Sequence, residues 1–217
     1  MYYPNEVNSR EGIKTNIMVS TLIYIKHRFE TIWGMVEKIN SFLLGFTFPR
    51  IKKMDFSLLR NFNSDEFEFS LVDRTDIDAL IDFRVRQRDE YLRYFDPHRF
   101  DRATIERMLG NKSYILMKVM KKDHKDILGY FFLRCFFIGK AFHGLIVDEK
   151  YTNRGLGTKM WRISNELCKN SHLRMFATIS KHNIPSLKSA SNAGQVKVSE
   201  KLDNDFLLIE CYPKKTS

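Results

Sequence analysis

The chain has little of what would place it outside a reducing compartment or inside a membrane. Its 217 residues include three scattered cysteines, Cys135, Cys168 and Cys211. They offer neither the even count of a disulfide framework nor the close spacing of a metal site. A bilayer span takes about 20 apolar residues, and the longest charge-free stretches, residues 16–25 and 39–49, fall short of it. Residues 1–16 are polar and mixed in charge, unlike a secretion signal. Internal repeats, low-complexity segments, zinc spacings and RNA-recognition signatures are missing as well. These absences lead us to expect a cytoplasmic globular protein with no metal site.

What is present agrees with that. Hydrophobic residues make up 43% and charged residues 29% of the chain, an ordinary globular composition. Its length suffices for one substantial core plus an appendage. The formal charge of +10 suits an anionic partner: nucleic acid, an acidic lipid surface or a phosphorylated small molecule. It suits a basic surface with no such partner equally well. The basic residues are dispersed, so no nucleic acid is expected as partner.

Periodicity divides the chain in three. Met18, Leu22, Ile25, Phe29, Ile32, Val36, Ile39 and Leu43 recur at alternating spacings of four and three. This is the a/d seam of one long helix over residues 17–44, inside an N-terminal extension of residues 1–50. A strict seam favours packing on another helix, including that of a second copy in a homodimer. Ile23, Trp33, Met35, Phe42 and Leu44 widen the stripe, which leaves packing on the rest of the chain or on a membrane surface open. Peripheral membrane contact ranks last, because the polar face is not strongly cationic. Residues 51–65 read as a linker.

Residues 66–217 alternate between strand and helix patterns. Strands are expected at 67–72, 113–121, 127–136, 140–147, 172–180, 196–200 and 206–211. Helices are expected at 76–94, 102–109, 155–169 and 185–193. Antiparallel hairpins with one strand–turn–helix crossover predict an α/β fold, a mixed sheet flanked by helices.

The crossover carries the chemistry. Strand residues Leu145 and Val147 lead through Tyr151, Thr152, Asn153 and Arg154 to Gly155, Leu156, Gly157 and Thr158, where the next helix must begin. Glycine lets a ligand approach the backbone closely, and the first N–H groups of a helix lack internal partners, so the junction suits an anion. Ordinary turn punctuation explains a glycine pair equally well. Downstream, Asn183 and Ser186 are spaced three apart, and Gly194 follows Asn183 by eleven residues.

This set, in this order, resembles the GCN5-related N-acetyltransferase (GNAT) superfamily over about residues 66–212. The resemblance implies an acyl-CoA N-acyltransferase fold that binds acetyl-CoA as cosubstrate and acetylates a primary amine of a small acceptor. It assigns Leu145, Val147, Thr152, Asn153, Arg154, Gly155, Leu156, Gly157, Thr158, Asn183 and Ser186 to acyl-CoA. It also places a backbone N–H near Val147 against the thioester oxygen. Three positions depart from the family pattern. Thr152 stands where a basic or amide side chain is usual, leaving Arg154 or Lys159 to supply the cation. Gln195 follows Gly194 where an aromatic is usual. Ala190 replaces the tyrosine that protonates the leaving thiolate. A thiol of pKa about 8.5 leaves without a strong acid, so this last loss does not remove the enzyme reading.

For the base, His143 shares a strand face with Leu145 and Val147 and has a suitable unperturbed pKa; a structural histidine is the other reading. Asp148 and Glu149 are alternative bases or solvated turn residues. Tyr94, Phe95 and His98 lie in a stretch that resembles one in GNAT proteins associated with surface-polysaccharide loci. They are expected to line the acceptor site, which points to a nucleotide-linked amino sugar, or else to pack a loop stapled by Pro97. The rival readings are a catalytically weak acyl-CoA-binding regulatory module and a basic nucleic-acid-binding protein.

Overall fold

The computed structural model describes residues 30–122, 126–203 and 205–214. The chain divides into two compact units, residues 1–40 and 41–217. Helix α1 spans Glu30–Thr47, where it buries Leu44 and leaves Phe42 and Phe46 exposed. Of the predicted seam, Met18 through Phe29 lie outside the described residues, and Val36 and Ile39 are exposed.

The stretch read as a linker is instead folded onto the core. It forms two 3-10 turns, Pro49–Lys53 and Phe56–Phe62, the second capped by Asp55, whose carboxylate accepts from the Ser57 N–H at 2.9 Å. Met54 and Leu59 are buried in the main hydrophobic cluster. A three-residue pitch leaves no 3.6-residue apolar pattern to read in a sequence.

Strands β1 (Phe67–Leu71), β2 (Tyr114–Lys121), β3 (Ile127–Phe136), β4 (Lys140–Val147), β5 (Arg174–Ser180), β6 (Gly194–Lys201) and β7 (Phe206–Pro213) form a seven-stranded sheet in the order β1-β2-β3-β4-β5-β7-β6. All neighbours are antiparallel except β4 and β5. Helices α2 (Ile77–Val85), α3 (Asp89–Leu92) and α4 (Arg102–Leu109) cover one face, burying Leu80, Phe83, Leu92 and Ile105 against Tyr130, Phe132 and Ile146. Helices α5 (Leu156–Asn170) and α6 (Ile184–Ala193) cover the other, with Met160, Trp161, Ile163 and Ala190 against Phe131, Leu133 and Ala177. The alternation of a strand's side chains thus feeds two apolar layers.

The predicted strands and helices recur with small shifts at their ends, with one interruption. The helix expected over 76–94 breaks at Arg86–Arg88 into α2 and α3. Gln87 there turns back, donating to the Phe83 carbonyl (3.1 Å) and to Asp148 (3.2 Å) beyond β4. Among the described residues no helix is long and apolar enough to cross a membrane.

Candidate active site

The parallel pair β4–β5 is joined only at Lys140–Arg174, Ala141–Met175 and Phe142–Phe176. Both strands run on, to Val147 and Ser180, so they part beyond Phe142 and open a cleft of about 700 Å³. The β3–β4 ladder fixes what faces the gap. The Asp148 N–H donates to the Leu128 carbonyl at 2.7 Å, and alternate residues of an antiparallel strand point their backbone groups to opposite sides. The N–H groups of Leu145 and Val147 therefore point away from β3, into the gap, whereas that of His143 faces β5 at the last paired rung.

At the mouth, the chain enters α5 through Gly155 at φ +77°, a left-handed conformation that costs a residue with a Cβ about 1–2 kcal/mol. Its position also faces open space. No side chain caps α5, so its first N–H groups remain available to an anion. Asn183 is the N-cap of α6 and accepts from the Ser186 N–H at 3.2 Å. That bond is the local reason for their three-residue spacing. Val147, Thr152, Asn153, Leu156, Gly157 and Thr158 line the cleft together with Leu145, Gly155, Asn183 and Ser186. This fits an extended ligand with a phosphorylated end at α5 and a narrower arm running between the strands.

The cations expected from the sequence lie elsewhere. Arg154 is turned to Glu66 (2.9 Å) and packs over the Tyr151 ring, while the Lys159 ammonium donates to the Phe62 carbonyl at 3.3 Å. The lysine that does line the cleft is Lys188 of α6, five residues beyond the Asn183 cap.

The two base candidates line the cleft, but neither has a pKa suited to neutral pH. His143 is 6% exposed, and burial pushes its imidazole down to about 3. It is therefore neutral at physiological pH and a very weak base. Glu149 bonds the Arg88 guanidinium, which holds its carboxyl below the usual range. Asp148 is buried beside it, taking Arg86 Nε at 2.9 Å and Gln87 Nε2 at 3.2 Å. Gln87 in turn accepts from the Glu149 N–H at 3.0 Å.

Tyr91 completes this girdle. Its hydroxyl donates to the Val147 carbonyl at 2.7 Å, and desolvation raises its pKa to about 12, so it stays protonated. The sequence does not show this bond, because its two partners are 56 residues apart.

The end of α3 and the segment after it form a further wall of Tyr91, Arg93, Tyr94 and Phe95, with the Arg93 guanidinium 4.5 Å over the Tyr94 ring. His98 is not part of it. Its Nδ1–H donates to the Arg99 carbonyl (2.9 Å), its Nε2 accepts from the Tyr130 hydroxyl (3.0 Å), and its ring stacks on Phe100 at 4.5 Å. The aromatic row of β3 captures the imidazole under the sheet face that α2 covers. Gly144 and Trp161 also line the cleft. Gly144 lacks a Cβ where one would lie 2.5 Å from the Phe132 ring.

Comparison with known proteins agrees with this geometry. The fold matches the ribosomal-protein-S5-alanine acetyltransferase of Vibrio fischeri at 14% identity and TM-score 0.57, covering 71% of this chain and 97% of that one. It matches the PaiA N-acetyltransferase of Thermoplasma acidophilum, solved with coenzyme A, at 16% identity and TM-score 0.54, covering 67% and 98%. It matches aminoglycoside acetyltransferase AAC(6')-Ib, solved with coenzyme A and kanamycin, at 14% identity and TM-score 0.53, covering 69% and 95%. No curated protein matches the sequence. The sequence model of the Acetyltransferase (GNAT) family matches residues 78–194, more than half of the chain, and the protein belongs to that family.

Proposed function

We propose that the protein is an N-acetyltransferase that moves the acetyl group of acetyl-CoA to a primary amine of a small acceptor. The observation that carries this is the uncapped, glycine-led start of α5 at the mouth of the β4–β5 gap. The α5 N–H groups would hold the pyrophosphate, each contact contributing about 0.3–1 kcal/mol, with Lys188 as the cation that Thr152 does not provide. Asn183 and Ser186 would border the pantetheine arm.

Acetyl-CoA supplies an activated thioester; the chain supplies position and polarisation. The gap-facing N–H groups of Leu145 and Val147 would stabilise charge building on the carbonyl oxygen. Tyr91 holds the Val147 carbonyl and with it the end of β4. As the C–N bond forms and the C–S bond breaks, the amine gives a proton to water and the thiolate takes one up, so Ala190 needs no tyrosine in its place. His143 at a pKa of about 3 is not the base of this scheme.

For the acceptor, Tyr91, Tyr94 and Phe95 offer ring faces, and Arg93 offers a cation suited to phosphate. That combination supports a nucleotide-linked amino sugar. Calorimetric titration with acetyl-CoA, followed by thiol release across a panel of amines, tests the proposal. Micromolar binding and amine-dependent release are expected. No heat on titration with acetyl-CoA removes the proposal, while binding without release to any amine favours an acyl-CoA-binding regulatory module.

A further inference from the structure

The inner end of the cleft, where β4 and β5 rejoin at Phe142–Phe176, holds polar groups that the acetyl-transfer reading does not use. His143 and Trp161 both line it, 6% and 2% exposed, with ring centroids 4.3 Å apart. Nδ1 and Nε2 of His143 and Nε1 of Trp161 are buried with no hydrogen-bond partner among the described residues. The Phe132 carbonyl acts on the imidazole only from outside hydrogen-bonding geometry. Buried donors and acceptors in native proteins are seldom left unmatched, because each was stripped of water to be there.

The methyl of an acetyl group matches none of these atoms. A neutral imidazole presents one donor and one acceptor, and the indole presents one donor. A hydroxyl both accepts and donates, so it complements the indole N–H together with one of the two ring nitrogens. Leu145, whose N–H faces the gap, is two residues from His143, about 6.7 Å along the strand. The first carbons of an acyl chain held at Leu145 extend into that span. No lysine or arginine is among His143, Leu145, Trp161 and Ala177, the lining residues at this depth, so a carboxylate has no counter-charge there.

We propose that the inner cleft selects a short acyl group bearing a hydroxyl on its third carbon, so that the preferred donor is a 3-hydroxyacyl thioester of coenzyme A. This rests on the reading of the cleft as the acyl-CoA site, with acetyl-CoA as the smaller donor it also accepts. The hydroxyl takes the indole N–H and exchanges a hydrogen bond with His143. A hydrocarbon chain of the same length leaves all three atoms unmatched.

Binding tests this without knowledge of the acceptor. The full-length protein is titrated calorimetrically with coenzyme A, acetyl-CoA, butyryl-CoA and 3-hydroxybutyryl-CoA, the last two matched in chain length. We expect 3-hydroxybutyryl-CoA to bind about 10-fold tighter than butyryl-CoA, the worth of one or two buried hydrogen bonds. Trp161→Phe, which keeps a ring in place, and His143→Phe should each bring that ratio towards one while free coenzyme A binds as before. Equal affinities for the two four-carbon thioesters, with coenzyme A still bound, overturn the inference and leave the cofactor reading standing. A preference that survives both substitutions overturns it too. Failure to bind coenzyme A removes both readings. Should His143→Phe melt early, Trp161→Phe alone decides.

Discussion

His143 shows how one side chain's surroundings decide its chemistry. Strand alternation places it on the face of Leu145 and Val147, as the sequence pattern implied. What the pattern does not carry is the Trp161 ring packed against it and the burial that lowers its pKa from 6.5 to about 3. Between those two values the unfolded chain binds a proton that the folded chain refuses, so stability falls as pH drops through that window. At pH 4.5 the penalty reaches about 3 kcal/mol. Wild-type protein should therefore lose more melting temperature between pH 7 and pH 4.5 than His143→Leu does. Parallel losses in the two proteins would mean that His143 takes up its proton in the fold. Gly155, at φ +77°, makes a second case. Gly155→Ala should lower stability by about 1–2 kcal/mol and weaken coenzyme A binding about fivefold, the equivalent of about 1 kcal/mol at the anion cradle. Gly155→Asn should lose less in a melt, since asparagine tolerates left-handed angles. An alanine variant that melts and binds like wild type would count against the cradle.

Among the elements, the end of β4 is held from outside the sheet. Arg86 and Gln87, at the break between α2 and α3, bond Asp148, Arg88 bonds Glu149, and Tyr91 bonds the Val147 carbonyl. With β5 splayed away, this girdle takes over the support that a neighbouring strand gives elsewhere. Asp148→Ala should cost about 2 kcal/mol in a denaturant melt, less than a fully buried pair because Arg86 is 37% exposed. Tyr91→Phe should lower turnover several-fold with little change in KM for acetyl-CoA, because it loosens the strand rather than the pyrophosphate cradle. A raised KM at constant kcat would move Tyr91 into ligand binding instead. These ties span about sixty residues of sequence, which is why the break after Val85 was not legible beforehand. The strands, α5 and α6 were legible because their apolar periods and caps are local. The Asn183–Ser186 spacing, read as a cofactor segment, is also an N-cap written into the chain. His98 was misplaced for the opposite reason: its partners Tyr130 and Phe132 lie on a strand whose far face the sequence could not assign to either layer.

At the scale of the whole molecule, the boundary of the folded unit differs from the one suggested by composition. Residues 51–65 looked like a linker for want of a helical period, yet Met54 and Leu59 enter the core. The compact unit begins at Ser41. Leu44 is 2% exposed, and Phe48 packs so closely on Gly139 that a Cβ there would lie 2.9 Å from its ring. Two truncations separate the alternatives. A chain starting at residue 41 keeps every one of these side chains and should melt near the full-length protein. A chain starting at residue 51 loses Leu44 and Phe48, which should cost about 2–5 kcal/mol, or on the order of 10 °C in Tm for a domain of this size. Equal melting of the two truncated chains would return residues 41–50 to the N-terminal extension, outside the folded unit. Light scattering on the same samples tests the homodimer that the predicted seam of residues 17–44 left open. The full chain should carry twice the mass of a protomer and the chain starting at residue 41 a single protomer mass, whereas a full-length monomer would sink the dimer.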